Sequence, residues 1–305
     1  MSGLIVNVMS GAVSSGTSIV YAGLGETVSE RAGIINLGTE GCMLVGALSA
    51  YAATAELGSP WLGLLVGAAA GGALASIHAV LVISRKANQF ASGFSILFLA
   101  LGLTALFGGP YVGKTIDALH PVKLPVLGDI PFIGEIFFDQ DPVTYLSYIV
   151  APLVFWFVFK TRWGLLLRTA GERADALEVN GYSAKRVRYF AVIGGGALAG
   201  VGGAQLSIAY ANAWFENMVV GRGFIAVALV IFATWHPLRI VVGAYLFGAA
   251  LALAPELQAR GFGINQFALD VIPYVLTLAA LAVFGRRTLA AAPTELKGVF
   301  DNRPA

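Results

Sequence analysis

Apolar runs of about the length that carries an α-helix across a bilayer core recur along the whole chain. They fall near 3–25, 37–56, 61–84, 90–112, 143–160, 189–211, 223–236, 240–256 and 268–285. In hydrocarbon every backbone N–H and C=O must be satisfied internally, so such runs are read as spanning helices. The expected fold is an all-α polytopic transmembrane bundle of about nine spans, eight to ten within boundary tolerance, forming one domain over 1–305. The second run has an irregular start. Residues 33–41 place Asn36, Thr39 and Glu40 among glycines, as a re-entrant segment would.

Composition agrees. Apolar residues make up 57% and charged residues 12% of the chain, against about 25% charged in soluble domains. So few charges cannot cover a water-facing surface of this size. A soluble enzyme, a nucleic-acid binder and a disordered chain are excluded. The net charge of +2 calls for no polyanionic partner. Cys42 is the sole cysteine, so no intrachain disulfide forms. His78, His120 and His236 are far apart and match no metal-ligand spacing. No basic stretch precedes Leu4–Ala22, so the first run reads as a membrane helix and not a removed signal.

The basic residues orient the chain. If Arg85 and Lys86 are cytoplasmic, the inner segments at 31, 85–86, 160–188, 239 and 286–303 hold 15 of the 19 Lys and Arg. The other side receives Lys114, Lys123, Arg222 and Arg260. The N-terminus is then outside and the C-terminus cytoplasmic. The long outer loop, 113–142, carries Pro121, Pro125, Pro131 and Pro142 and is ordered by turns. The inner loop, 160–188, is the most charged stretch. The Gly67–Gly71 and Gly196–Gly200 spacings read as close helix contacts.

Two motifs imitate nucleotide sites. Gly108 to Thr115 fits G-x-x-x-x-G-K-T, but a membrane run precedes it and Pro121 and Pro125 follow, so strand and helix are both missing. Gly194 to Ala199 fits G-x-G-x-x-A, with Glu216 about twenty residues on as a ribose ligand would be. Small residues continue through Ala204 without a break, and no second strand follows. Both read as glycine-rich membrane segments.

Within 160–188, positions 172–179 favour helix, Asn180-Gly181 can end it, and Ser183 can cap the next helix. A short helix along the cytoplasmic face results, with Ala174, Leu177 and Gly181 on one side. It suits either docking into a protein groove or lying on anionic lipid.

Three stretches carry a family resemblance: Glu30 to Gly41 (ERAGIINLGTEG); Gly171-Glu172-Arg173-Ala174-Asp175-Ala176 with Gly181, then Gly200 to Ala204; and Gly221 to Ala228 with Pro237 and Gly248. In this order they resemble permease subunits of ABC importers in the branched-chain amino acid, ribose and nucleoside group. The chain is most like the smaller of two permeases in nucleoside or simple-sugar importers. The resemblance implies a separate cytoplasmic ATPase that uses ATP and Mg, with no cofactor bound by this chain. The 172–181 helix would dock there, with Gly171, Glu172, Ala174, Asp175, Ala176, Leu177 and Gly181 as the coupling residues. It also implies an external or periplasmic solute-binding protein, a second permease that is a longer paralogue, and residence in the cytoplasmic (inner) membrane.

Polar residues beside spans are candidates for the solute path. They are Asn36, Glu40, Asn88, Gln89, Ser92 and Ser95, with Phe90, Phe94 and Phe98 repeating every four residues. Aromatic faces can stack a base and amides can read its edge. Simple packing and helix termination are the alternatives, and Glu40 can equally brace Arg31 by an ion pair. Where the family usually has Asn, this chain has Leu97, which loosens any carry-over of substrate preference. Nucleoside, simple sugar and branched-chain amino acid follow in that order. An ion-coupled secondary transporter is the rival reading, with Glu40 as its best mid-span carboxylate; a membrane-embedded enzyme has no supporting cluster.

Overall fold

The computed structural model describes residues 2–261, 271, 272, 275, 279 and 292–300. The expected span at 268–285 lies outside these apart from four isolated positions. The chain forms α1 (Ser2–Arg31), α2 (Thr39–Leu57), α3 (Pro60–Ala79) and α4 (Gln89–Gly108). Two strands, β1 (Val122–Lys123) and β2 (Asp139–Gln140), flank a single-turn helix α5 (Ile133–Phe137). Then come α6 (Pro142–Lys160), α7 (Arg162–Glu172), α8 (Ala174–Val179), α9 (Ala184–Gln205), α10 (Arg222–Phe232), α11 (Pro237–Ala259) and α12 (Thr294–Phe300). Helices α3 and α9 each run on into a wider turn, Val80–Ser84 and Leu206–Tyr210.

Helix starts follow their capping residues. Asp141 accepts from the N–H groups of Val143 and Thr144, both at 2.9 Å, with Pro142 as the first residue of α6. Ser183 caps α9 through Arg186 N, as its place in the sequence suggests. The 113–142 segment holds the antiparallel pair Val122 with Gln140 and Lys123 with Asp139, a small exception to an all-α fold.

Six helices are long and apolar enough to cross a membrane: Gly3–Arg31, Pro60–Ser84, Gln89–Tyr111, Pro142–Lys160, Ala184–Tyr210 and Pro237–Ala259. The expected count of nine is therefore not reproduced among the described residues. Two of the missing three have physical reasons. Helix α2 carries Glu40 and Glu56 and lies inside the bundle, with Thr39 to Leu44 buried, so protein and not lipid surrounds its first turns. Helix α10 has 11 residues, only about half a crossing.

Glycines bring the inner helices to backbone contact. A Cβ on Gly71 would lie 2.7 Å from Gly200 Cα, and one on Gly67 would lie 2.8 Å from the Gly46 carbonyl, so α2, α3 and α9 meet there. The G-x-G-x-x-A motif lies wholly within α9, and residues 188–193 before it are helix too. The G-x-x-x-x-G-K-T motif ends α4 and passes into a three-residue turn, Gly109–Tyr111, then coil.

The bundle has two ends. At one, Gln140 Nε2 donates to Ser10 O at 3.3 Å, so the start of α1 adjoins the 113–142 segment. At the other, Gly171 packs on the Arg31 carbonyl and Arg188 pairs with Glu295 at 3.1 Å. Thus α7, α9 and α12 gather at the far end of α1.

Candidate functional site

The first turns of α2 and α10 meet midway along α4. A Cβ on Gly41 would sit 2.9 Å from Ala100 Cβ, and one on Gly223 would sit 2.5 Å from Glu40 N. The Glu40 carboxylate accepts from Gly221 N at 2.7 Å and from Gly223 N at 2.6 Å. It thereby satisfies N–H groups at the open start of α10 and places negative charge at the positive end of that helix. Gly221 has φ of +80°, a left-handed conformation that glycine adopts without strain. Glu40 is thus a brace, but not to Arg31 as the ion-pair alternative had it. Arg31 instead donates from Nε and Nη2 to the Trp235 carbonyl at 3.2 and 3.1 Å.

The segment 32–38 between α1 and α2 is irregular, as expected, and polar side chains hold it in place. Glu26 accepts from Asn36 N at 2.7 Å and Thr39 Oγ1 at 2.8 Å. Asn36 Oδ1 accepts from Gly38 N at 2.9 Å. Gln89 Oε1 accepts from Ile35 N at 2.8 Å. His78 bridges Ser92 Oγ and the Ile35 carbonyl, at 2.9 and 3.0 Å.

The nine path candidates therefore divide. Asn36, Glu40, Gln89 and Ser92 each hold a side-chain polar atom against backbone or His78. Asn88 is an exposed cap of α4, accepting from Ala91 N at 3.0 Å. Phe90 packs against the core. Phe94 and Phe98 remain on the surface of α4, 43% and 66% exposed. Ser95 bonds back to the Ala91 carbonyl, and Leu97 is buried against Gly41. Sequence reasoning missed Glu26, Glu30 and His78. Glu26 and Glu30 fall just past the expected end of the first run at residue 25, and that run continues helical to Arg31. Arg222, which the basic-residue count puts on the outer side, begins α10 between the two glycines that Glu40 holds.

At the far end, α7 and α8 shape the expected coupling segment. Leu177 is buried with Ala170 and Ala184, so the side of α8 that it shares with Ala174 faces inward there and anchors the helix. Ala174 and Ala176 are half-buried. Gly181, with φ of +79° and open space around it, closes α8. Asp175 is exposed and pairs with Arg173 at 3.5 Å. Glu172 Oε2 accepts from Thr294 N at 3.2 Å and Thr294 Oγ1 at 2.6 Å. From α8 onward the outward apolar groups are Val179, 89% exposed, and Tyr182, 53% exposed, while α7 exposes Trp163 and Leu165.

Residues 8–281 match the family described as "Branched-chain amino acid transport system / permease component". The chain belongs to that permease family. This permease is 41% identical to TsgC13 of Haloferax volcanii, provisionally named a glucose ABC transporter permease protein, over 90% of this chain and 91% of the relative. It is 35% identical to the guanosine ABC transporter permease protein NupQ of Bacillus subtilis, over 87% and 88%. It is 34% identical to the nucleoside ABC transporter permease protein NupC of Lactococcus lactis, over 90% of each. No solved structure matches the chain. The permease is thus a multi-pass membrane component of an ABC importer, a transport subunit and not an enzyme. Among the described residues no group of three or more His, Cys, Asp and Glu could hold a metal.

Proposed function

We propose that this permease forms the membrane path of an importer for a nucleoside. The observation that carries the path reading is the meeting of α2 and α10 midway along α4, with α10 only half a span long. Transporters build midplane sites from such interrupted helices. Phe94 and Phe98 offer exposed aromatic faces on α4, which suit a base. The relatives NupQ and NupC support the nucleoside. A simple sugar is the second reading, favoured by the 41% identity to TsgC13; a branched-chain amino acid stands third. An ion-coupled carrier is disfavoured because Glu40 is already engaged by two backbone N–H groups.

Fifteen basic residues oppose Lys114, Lys123, Arg222 and Arg260. This supports an N-terminus outside and a C-terminus in the cytoplasm of a cell with this chain in its cytoplasmic membrane. Nine crossings would comprise the six long helices, α2, the half-span α10 and the run at 268–285. The separate ATPase, which uses ATP and Mg, meets the α7–α8 end. The solute-binding protein meets the 113–142 end, and a longer paralogue completes the pair. This chain binds no cofactor of its own.

The test is uptake by proteoliposomes holding the ATPase, both permeases and the binding protein. Labelled ribonucleoside should enter only with internal ATP and resist an uncoupler. Uptake that an uncoupler abolishes while ATP stays high would overturn the importer mechanism. Glucose that outcompetes the nucleoside would replace nucleoside by sugar.

A further inference from the structure

Arg222 stands out among the half-buried cations. It begins α10 next to the Glu40 brace, midway along α4. Among the described residues no carboxylate lies within ion-pair distance of it. Nη1 makes only two long bonds, 3.3 Å to the Met218 carbonyl and 3.4 Å to that of Val219. Nε is buried with no partner among the described residues. An ionised group kept in mid-bundle with unspent donors marks a functional position in a membrane protein.

Its surroundings suggest what those donors meet. The guanidinium carbon lies 5.9 Å from the Tyr210 ring centroid. Phe224, two residues on, lies 6.3 Å from Phe94, ring to ring. Tyr210 and Phe94 are 41% and 43% exposed, so each offers a free face. Glu40 bonds both chain neighbours of Arg222, so a negative charge sits beside the positive one. The pair leaves little net charge for an anion to neutralise. A neutral ring solute fits better: hydroxyls accept from the guanidinium while the apolar ring face stacks on aromatic carbon.

We propose that Arg222, with Tyr210 and the Phe94–Phe224 pair, is a solute-contacting group of the path that reads the vicinal hydroxyls of a neutral sugar ring, free or as the ribose of a nucleoside. This rests on the path reading above. The arrangement positions a fork of donors whose geometry matches two adjacent oxygens.

The experiment uses the complete reconstituted importer. Uptake is compared for a ribonucleoside and its 2′,3′-dideoxy analogue, and for glucose and 2-deoxyglucose. Arg222→Met is expected to lower uptake of the hydroxylated member roughly tenfold and to erase the preference over its deoxy partner. Arg222→Lys, which keeps the charge but not the fork, restores uptake only in part. A Met variant that assembles and keeps the wild-type preference overturns the inference. If that variant fails to assemble, Tyr210→Ala decides, because its ring is exposed: a reduced preference supports the site and an unchanged one overturns it. Wild-type complex that imports none of the four probes with ATP would instead sink the nucleoside and sugar readings themselves.

Discussion

The Trp235 indole donates a 2.6 Å hydrogen bond from Nε1 to Glu30 Oε2, joining the end of α1 to the turn before α11. The neighbouring Arg31 donates to the Trp235 carbonyl, so the turn is held twice. That turn needs holding: Thr234 and Trp235 both have positive φ, 52° and 54°, which side chains with a Cβ adopt at a cost. Glu30 Oε1 has no partner among the described residues, so the Trp235 bond to Oε2 anchors the carboxylate. Trp235→Phe removes it and is expected to cost about 1–3 kcal/mol. Chemical unfolding of the purified permease in detergent measures this. Unchanged stability would mean that the buried pair contributes nothing.

Two glycines of α9 should respond oppositely to the same change. A Cβ on Gly203 lands on the Met43 carbonyl, backbone that cannot swing aside. A Cβ on Gly194 meets nothing within 4 Å among the described residues. Gly203→Ala is expected to cost about 3 kcal/mol or more, or to prevent folding. Gly194→Ala should be neutral or stabilising by up to about 1 kcal/mol, because alanine favours helix. Thermal denaturation of the two variants side by side checks the contrast, and equal effects would refute the packing assignment.

Glu40 closes the meeting of α2 and α10. Glu40→Ala leaves the N–H groups of Gly221 and Gly223 buried and unpaired, which is expected to cost about 3 kcal/mol and most uptake. Glu40→Gln keeps one acceptor oxygen and should lie between the two. An alanine variant as stable and active as wild type would show that the bracket is not needed. Stability curves and ATP-driven uptake on the same preparations give both readouts.

Length, apolarity and capping residues made the helices legible. Ser183 and Asp141 begin helices where their side chains can accept from backbone N–H groups. Roles that depend on packing were not legible. Helical spacing puts Leu177 on one side of α8 with Ala174 but does not reveal that Ala170 and Ala184 wait behind it. The sequence sets Arg222 just before the run at 223–236, where charge normally marks a span end, and does not reveal the Glu40 brace beside it. The bond from Glu40 to Gly221 and Gly223 joins positions about 180 residues apart, which no local pattern encodes.

Asn88 separates capping from solute contact. Its side chain accepts from Ala91 N at 3.0 Å at the start of α4. Asn88→Ala should cost about 1 kcal/mol, and Asn88→Asp, which caps as well, almost nothing. Both are expected to leave the KM for uptake unchanged. A KM that rises severalfold in the aspartate variant would return Asn88 to the path.

Glu172 is engaged within the chain, and this sets a test of how the inner end works. Its Oε2 accepts from both the N–H and the hydroxyl of Thr294, the latter at 2.6 Å. Beside it, Glu295 pairs with Arg188 at 3.1 Å, and Leu296 is fully buried. Helix α12 therefore ties α7 to α9. If Glu172 acts through this tie, Thr294→Val should reproduce the uptake loss of Glu172→Ala, and the double variant should be no worse than either single one. If Glu172 instead touches the ATPase, Thr294→Val will leave uptake close to normal while Glu172→Ala abolishes it. The exposed Val179 and Tyr182 are the better candidates for that contact. Val179→Asp is expected to weaken co-purification of the ATPase roughly tenfold, since it puts a charge into the apolar part of an interface. Full ATPase recovery with this variant would move the docking surface away from α8.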